Sequence, residues 1–195
     1  MKRLGERALV FPRPSEVSAR SLVRAVKAWP GVRDVVVARE DVAAYFDRTL
    51  DPAETFAESI EALSRLPDDE LPARTIELPA IYDGEDLAWV ATATGLAVEE
   101  VIRRHRDATY TVETMGFAPG FAYMTGLDPA LVMARRATPR TCVPAGSIAI
   151  ANEHTAVYPF ASPGGWHLLG RVTVKMFDGG ARLQLGDRVR FVEAR

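Results

Sequence analysis

Apolar positions along this chain change their rhythm near residue 80. Before it, strand-like and helix-like periods take turns. Arg7–Phe11 ("RALVF") reads as a strand. Val17, Leu22, Val23, Val26 and Trp29 then recur at roughly helical spacing. Ser15 stands ahead of them as a cap, and Pro30–Gly31 stops the run. Val32–Ala38 and Asp41–Asp47 predict two strands joined through Arg39 and Glu40. Asp51, Pro52 and Glu54 have the order of a capping-box helix start, with Phe56, Ile60 and Leu63 as the apolar stripe behind it. Arg74–Ala80 reads as a fourth strand. The order β-α-β-β-α-β is the split βαβ, ferredoxin-like pattern. It predicts an α+β N-terminal domain over residues 1–80. No catalytic constellation lies in it, so it reads as a scaffold or docking domain.

Residues 81–195 open on two short helices, Glu85–Thr94 and Val98–Asp107, with Gly95 between them. Ala97 offers no capping oxygen to the second. From Thr109 onward the apolar runs are short and alternate. Thr109–Met115, Gly146–Asn152, His154–Phe160, Trp166–Phe177 and Asp187–Ala194 are the strand candidates. Gly and Pro clusters separate them, which is the punctuation of a closed barrel or sandwich.

Composition narrows the function classes. The chain has 195 residues, 48% of them hydrophobic, enough to bury a real core. Its formal net charge of −2 gives no electrostatic reason to propose nucleic acid or an anionic membrane as partner. No run of about 18 apolar residues occurs, so no helix is expected to span a bilayer. The N-terminal "MKRLGERALVFPRP" lacks the apolar core of a signal peptide. Cys142 is alone, with no disulfide framework, which fits a reducing cytoplasm.

Three stretches combine residue types that neither a plain turn nor a plain strand needs. In "GFAPGFAYMTGLDP" (116–129), Gly116 and Gly120 would let backbone N–H groups face a ligand, and Pro119 would stiffen the turn. Phe117, Phe121 and Tyr123 would wall a pocket. The plain alternative is a tight strand connection packed by aromatics. The Gly-Lys-Ser/Thr ending of a phosphate-binding P-loop is missing. In "RRATPRTCVPAGS" (135–147), Pro139 and Pro144 stiffen the segment that carries Arg140. A fixed guanidinium suits a carboxylate or phosphate. Arg136 is a second candidate and Arg135 a weaker third, against the alternative of surface salt bridges. Ser147 is a ligand hydroxyl or a strand-start serine. In "YPFASPGGWHLLGR" (158–171), Pro163–Gly164 is a ready turn and Trp166 a large apolar wall or a core residue. His154 and His167 lack the spacing of a zinc site, so no metal ligands are assigned. His105 reads as a solvated residue on a basic helix.

These stretches resemble the signature of the 5-oxoprolinase B-subunit family, also called allophanate hydrolase subunit 1. That family is related to a sporulation kinase inhibitor. The matching residues are Gly116–Phe121, Gly126–Pro129, Arg136–Arg140, Val143–Ser147, Tyr158–Pro159, Ser162–Trp166, Gly170–Arg171 and Gly186–Phe191. The chain departs from the pattern at His154–Ala156, where Gln-Thr-Gly is expected, and at Met133–Arg136, where a proline is expected before the arginine pair. The resemblance implies a cyclophilin-like β-barrel after the N-terminal domain and membership of an ATP-dependent amidohydrolase complex opening 5-oxoproline to glutamate. It implies ATP with Mg²⁺, a C-subunit-like partner of the same family, and an A-subunit-like protein as a further candidate partner. On this view Arg140, Arg136 and His154 are the candidate catalytic residues. Gly116, Phe117, Pro119, Gly120, Phe121, Tyr123, Ser147, Thr155, Ser162, Gly164, Gly165 and Trp166 are the candidate substrate- or nucleotide-binding residues. Two alternatives within the resemblance are membership of an allophanate or urea-type amide hydrolase and a regulator inhibiting a histidine kinase. A prolyl isomerase is suggested only by the barrel, a weak warrant for activity.

Overall fold

The computed structural model describes residues 1–66 and 73–194. The chain forms two compact units, Met1–Pro72 and Ala73–Arg195.

The first unit follows the predicted rhythm. Its elements are β1 (Lys2–Arg3), β2 (Ala8–Pro12), α1 (Ala19–Lys27), β3 (Val32–Val37), β4 (Asp41–Phe46) and α2 (Ala57–Leu63). The sheet order is β1-β2-β4-β3, with every neighbour antiparallel. β2 and β3 are therefore parallel, joined through α1 and split by β4, as the pattern requires. Alternate residues Leu9, Phe11, Val42, Ala44 and Phe46 are buried, as are Leu22 and Val26 of α1. Phe11, Trp29 and Phe56 stack in series at centroid distances of 5.7 and 5.8 Å.

Two expected helix starts differ. Ser18, not Ser15, caps α1, because its side-chain oxygen accepts from Ser21 N–H at 3.1 Å. Asp51 closes a local turn onto Ala53 N–H at 2.8 Å, and Glu54 is paired with Arg48. With both acids so committed, α2 begins later, without a side-chain cap.

The expected fourth strand also lies elsewhere. It is β5 (Thr75–Ile81), and it joins the barrel of the second unit. That unit therefore starts at Ala73 rather than at 81. Its partner is β13 (Arg188–Glu193), which runs parallel to it over six paired positions. Arg74 and Asp187 pin the start of both strands with two parallel N–H···O bonds. A short sequence cannot announce a pairing with a strand so distant in the chain. The edge of the first sheet that a fourth strand would occupy is held instead by β1.

The remaining elements of the second unit are α3 (Leu87–Thr94), α4 (Val98–Asp107), β6 (Tyr110–Met115), β7 (Ala122–Thr125), β8 (Arg140–Val143), β9 (Ser147–Ala151), β10 (His154–Val157), β11 (Ser162–Gly164) and β12 (His167–Val172). Among the described residues, seven strands close a barrel in the order β10-β7-β6-β13-β5-β12-β9. β8 and β11 form a separate two-stranded sheet. Leu78, Tyr110, Met124, Ile148, Ile150, Leu169 and Phe191 fill the core. β7, β8 and β11 escape the alternation signal because each is short and bounded by Gly or Pro.

His105 is not solvated. α4 turns it inward, where it is fully buried. The Thr155 hydroxyl donates to Ala149 O at 3.1 Å, so it accepts from His105 Nε2 at 2.8 Å. That leaves Nδ1 to accept from the Tyr82 hydroxyl at 2.8 Å. Burial pushes the imidazole down to about 3. The ring is a neutral cross-link between α4 and the barrel, not a base.

Gly170 sits in a register shift between β12 and β9. A Cβ there would lie 2.1 Å from Ile81 O on β5. Gly170→Ala is expected to lower the unfolding free energy by about 1–3 kcal/mol or more, since backbone must move to admit the methyl. Urea denaturation checks it, and an unchanged midpoint and slope would show that β5 and β12 are less closely packed than described.

Candidate functional site

The site grows from Asp86. Residues 84–86 lie against β12, with Gly84 N–H donating to Leu169 O and Asp86 N–H to Leu168 O, each at 3.1 Å. Only glycine fits at 84, because a Cβ there would come within 2.3 Å of Leu168 O. Asp86 stands at the start of α3 but does not cap it. Its Oδ2 accepts from Leu168 N–H at 2.7 Å. Its Oδ1 accepts from Arg140 Nη2 at 2.7 Å and from Arg136 Nη1 at 2.8 Å. Arg140 also reaches Glu85 through Nε at 2.6 Å and Trp166 O through Nη1 at 3.4 Å. The Asp86 side chain is 5% exposed and that of Arg140 14%. Burial alone would raise the Asp86 carboxyl. The hydrogen bonds from Arg140 and Leu168 N–H, with the charges of Arg140 and Arg136, outweigh burial and hold it below the ordinary carboxylate range.

The rigid guanidinium expected on this loop is therefore present, and the carboxylate it clamps belongs to the chain itself. Arg136 and Arg140 tie the 135–147 segment to the start of α3.

Arg135 is different. The residue before it is fixed by His167 Nε2, which donates to Ala134 O at 3.0 Å. The residue after it is fixed by Arg136 N–H, which donates to Gly165 O at 2.8 Å. Between these two pins Arg135 lays its guanidinium 6.0 Å from the Trp166 ring centroid. Among the described residues no carboxylate pairs with it.

Trp166 belongs to an aromatic cluster that is largely buried, Trp166 being 5% exposed and Phe121 and Tyr158 2% each, with Tyr123 part-buried at its edge. Phe121 meets Phe117, Tyr158 and Trp166 edge-on at 5.1, 5.3 and 5.8 Å. Tyr123 meets Trp166 at 5.8 Å and His154 at 6.1 Å. Gly164 admits the Tyr158 hydroxyl, for a Cβ there would lie 2.3 Å from it. Phe117 is 63% exposed and holds a left-handed φ of 69° without being glycine. Such a conformation costs about 1–3 kcal/mol and clusters at ligand clamps. Gly120 turns the loop at φ +80°, and a Cβ would press Met176 O at 3.2 Å. The Gly116 N–H does not face outward: it closes the loop onto Phe121 O at 3.2 Å. Pro119 is exposed at the loop tip.

His154 Nε2 lies 3.5 Å from Glu113 Oε2 on β6, beside Tyr123. Glu113 falls at a register shift between Val112 and Thr114. This bulge makes its side chain hard to place from strand alternation. Two expected binding residues lie outside the aromatic face. Ser147 donates to Pro144 O at 2.8 Å and lines a separate cleft of about 280 Å³ with Gly84, Glu85 and Arg171. Thr155 is fully buried with its hydroxyl committed to Ala149 and His105. Ser162 Oγ and Arg136 Nε are buried without a hydrogen-bond partner. Gly165 serves through its carbonyl, the acceptor for Arg136 N–H. Among the described residues no three His, Cys, Asp or Glu side chains converge as metal ligands would.

The split βαβ unit followed by a closed barrel is, in this chain, a carboxyltransferase-type domain. The family model for the carboxyltransferase domain, subdomains C and D, matches residues 1–184. Relatives named as the B subunit of 5-oxoprolinase include proteins of Haemophilus influenzae (35% identity, covering 97% of this chain and 95% of the relative) and Bacillus subtilis (31%, covering 98% and 91%). The chain belongs to this carboxyltransferase-domain, 5-oxoprolinase B-subunit family. The crystal structure of TTHA0988 superposes with a TM-score of 0.79 at 37% identity, covering 97% of this chain and 40% of that one. The Kluyveromyces lactis urea amidolyase shares the fold with a TM-score of 0.75 at 16% identity, over 96% of this chain and 14% of that one. This chain thus matches one portion of these two longer proteins. No described helix is long and apolar enough to cross a membrane.

Removing the charge at Asp86 tests the anchor. Asp86→Asn is expected to cost about 3–5 kcal/mol at neutral pH, because two arginines lose a buried counter-charge. The folded carboxyl titrates below its unfolded value. Its contribution is therefore full above the unfolded pKa of about 4 and is lost as pH falls through the lower folded value. Urea titrations across acidic pH should show wild type losing stability over that window and Asp86→Asn losing less. Parallel profiles would mean the carboxylate is not anchored as described.

Proposed function

We propose that this chain is the barrel component of an ATP-dependent amidohydrolase complex that opens 5-oxoproline to glutamate. Its likeness to proteins named as the B subunit of 5-oxoprolinase, over nearly the whole chain, carries the reading. The face around Trp166 supports it chemically. A five-membered lactam is small, flat and largely apolar. Phe117, which is exposed, and the part-buried Tyr123 offer a wall of that kind, backed by the buried rings of Phe121, Tyr158 and Trp166. His154 with Glu113 beside it is a base with an orienting carboxylate. Ring opening adds water across the C–N bond. The water gives up a proton as its oxygen bonds to the carbonyl carbon, and the ring nitrogen gains one as C–N breaks. His154 is the group on this face suited to take that proton and return it.

ATP with Mg²⁺ is what the reaction implies, since an unactivated amide carbonyl is a poor electrophile. The described residues of this chain do not fit the nucleotide. Arg136 and Arg140 are held by Asp86, no phosphate loop occurs in the sequence, and no carboxylate cluster stands ready for a metal. In this reading the nucleotide is held by partner chains, a C-subunit-like protein first and an A-subunit-like protein as a further candidate. Assembly takes place in the cytoplasm.

Co-expression with a C-subunit-like partner, then ATP-coupled turnover of a panel of lactams and ureas, tests the reading. 5-Oxoproline is the expected substrate. Preferential turnover of allophanate would replace it, and a complex that hydrolyses nothing but binds a histidine kinase would overturn the enzyme reading. Within an active complex, His154→Asn should lower kcat by about 10²–10⁴-fold with an unchanged melting temperature. Wild-type kcat in the folded variant would remove His154 from the chemistry.

A further inference from the structure

We propose that Arg135, and neither Arg136 nor Arg140, is the residue that recognises the carboxylate of the substrate, holding it beside Tyr123 and His154. The proposal rests on the amidohydrolase reading for the identity of the ligand, and on the arrangement of three arginines for the assignment. All three sit within six positions of one another on one stiff segment. A cation can hold a ligand anion only if its guanidinium is free to turn toward it. Arg136 and Arg140 have a buried carboxylate against them at 2.8 and 2.7 Å. Pulling either guanidinium away would strand Asp86 inside the fold, a cost no small ligand offsets. Arg135 has no buried carboxylate to abandon.

Its placement is nevertheless fixed. Ala134 O and Arg136 N–H are both hydrogen-bonded to the 165–167 segment. The backbone on either side of Arg135 is therefore held by the same stretch that carries Trp166. Its guanidinium carbon lies 6.0 Å from the centroid of that ring, a cation–π contact that uses none of its N–H donors. Its charge is also felt at the Tyr123 and Tyr158 hydroxyls, where it opposes the upward pull of burial. Both tyrosines edge the same face, and Tyr123 bridges from Trp166 to His154. A ligand at the accessible edge of Tyr123 would thus meet the planar cation of Arg135 and the His154–Glu113 pair. A carboxylate is the group that a planar guanidinium fork accepts through two parallel hydrogen bonds. A lactam bearing a carboxylate next to its ring nitrogen presents both features that this face would read: an apolar ring and an anion.

The test compares 5-oxoproline with 2-pyrrolidinone, the same lactam ring without the carboxylate. Calorimetric binding of each is measured for the full chain, alone and in complex with the C-subunit-like partner. Wild type is expected to bind 5-oxoproline on the order of 10–100-fold more tightly than 2-pyrrolidinone. Arg135→Gln should remove that preference by weakening 5-oxoproline alone, and Arg135→Lys should restore part of it through charge without the planar fork. Because the side chain is exposed, all three proteins should melt together. The proposal is overturned if Arg135→Gln keeps the preference, if wild type shows none, or if neither ligand binds. Turnover separates it from the parent reading. Hydrolysis of 5-oxoproline with unaltered kinetics in Arg135→Gln would sink the assignment and leave the enzyme reading standing. Arg135-dependent binding without turnover would do the reverse.

Discussion

The carboxylate of Asp86 collects donors from three places that are remote in the chain: the Leu168 amide on β12, Arg140 on β8 and Arg136 in the loop before it. β12 is held by the barrel, but the other two donor segments lie outside it. The sheet of β8 and β11 has only two strands, and isolated two-stranded sheets are marginal in water. The loop before it ends at Pro139 and makes an isolated bridge, between Met133 and Asn152. One buried acid therefore does for this end of the molecule what closed hydrogen-bonding does for the barrel. Its own position depends on Gly84, the residue without a side chain that lets 84–86 lie against β12.

The division of labour on the face follows from that anchor. Asp86 fixes Arg136 and Arg140, and through them the loop from which Arg135 projects. The pins at Ala134 and Arg136 couple the same loop to the stretch bearing Trp166. Phe121 and Tyr123 pack edge-on against that ring, Tyr158 packs edge-on against Phe121, and Tyr123 passes the contact to His154. The family relationship and the geometry meet here. The chain aligns with proteins named as the B subunit of 5-oxoprolinase along nearly its full length, and its exposed Phe117 and part-buried Tyr123 rest on a buried aromatic cluster. The strain at Phe117, an exposed aromatic with a left-handed backbone, lies on the rim of the same face.

Much of the fold was legible because alternation and helical spacing are local signals. β2, β3, β4, α3 and α4 lie close to where the apolar pattern puts them. The destination of β5 was not legible, because its partner β13 is more than a hundred residues away and parallel pairing leaves no turn between them. At the site, the stiff arginine loop was readable from Pro placement, while Trp166 and Phe121 took the alternative of core residues, 5% and 2% exposed. The roles of the arginines were not. Asp86 looks in sequence like an ordinary helix-start acid, and its bonds to Arg136 and Arg140 span 50 and 54 positions. Without that acid, Arg140 reads as free and Arg135 as one more surface charge. Glu113 was hidden by the bulge beside it, and His105 by the basic residues that flank it on α4.

The keystone role of Asp86 is tested most directly by a double-mutant cycle with Arg140, using Asp86→Asn and Arg140→Gln singly and together and reading the free energy of unfolding at neutral pH. A buried, hydrogen-bonded pair that organises its surroundings predicts strong non-additivity, with a coupling energy of about 2–3 kcal/mol and a double variant little worse than either single one. Additive losses within about 0.5 kcal/mol would contradict it. They would mean that the two side chains act independently and that the arginine loop owes its position to something else.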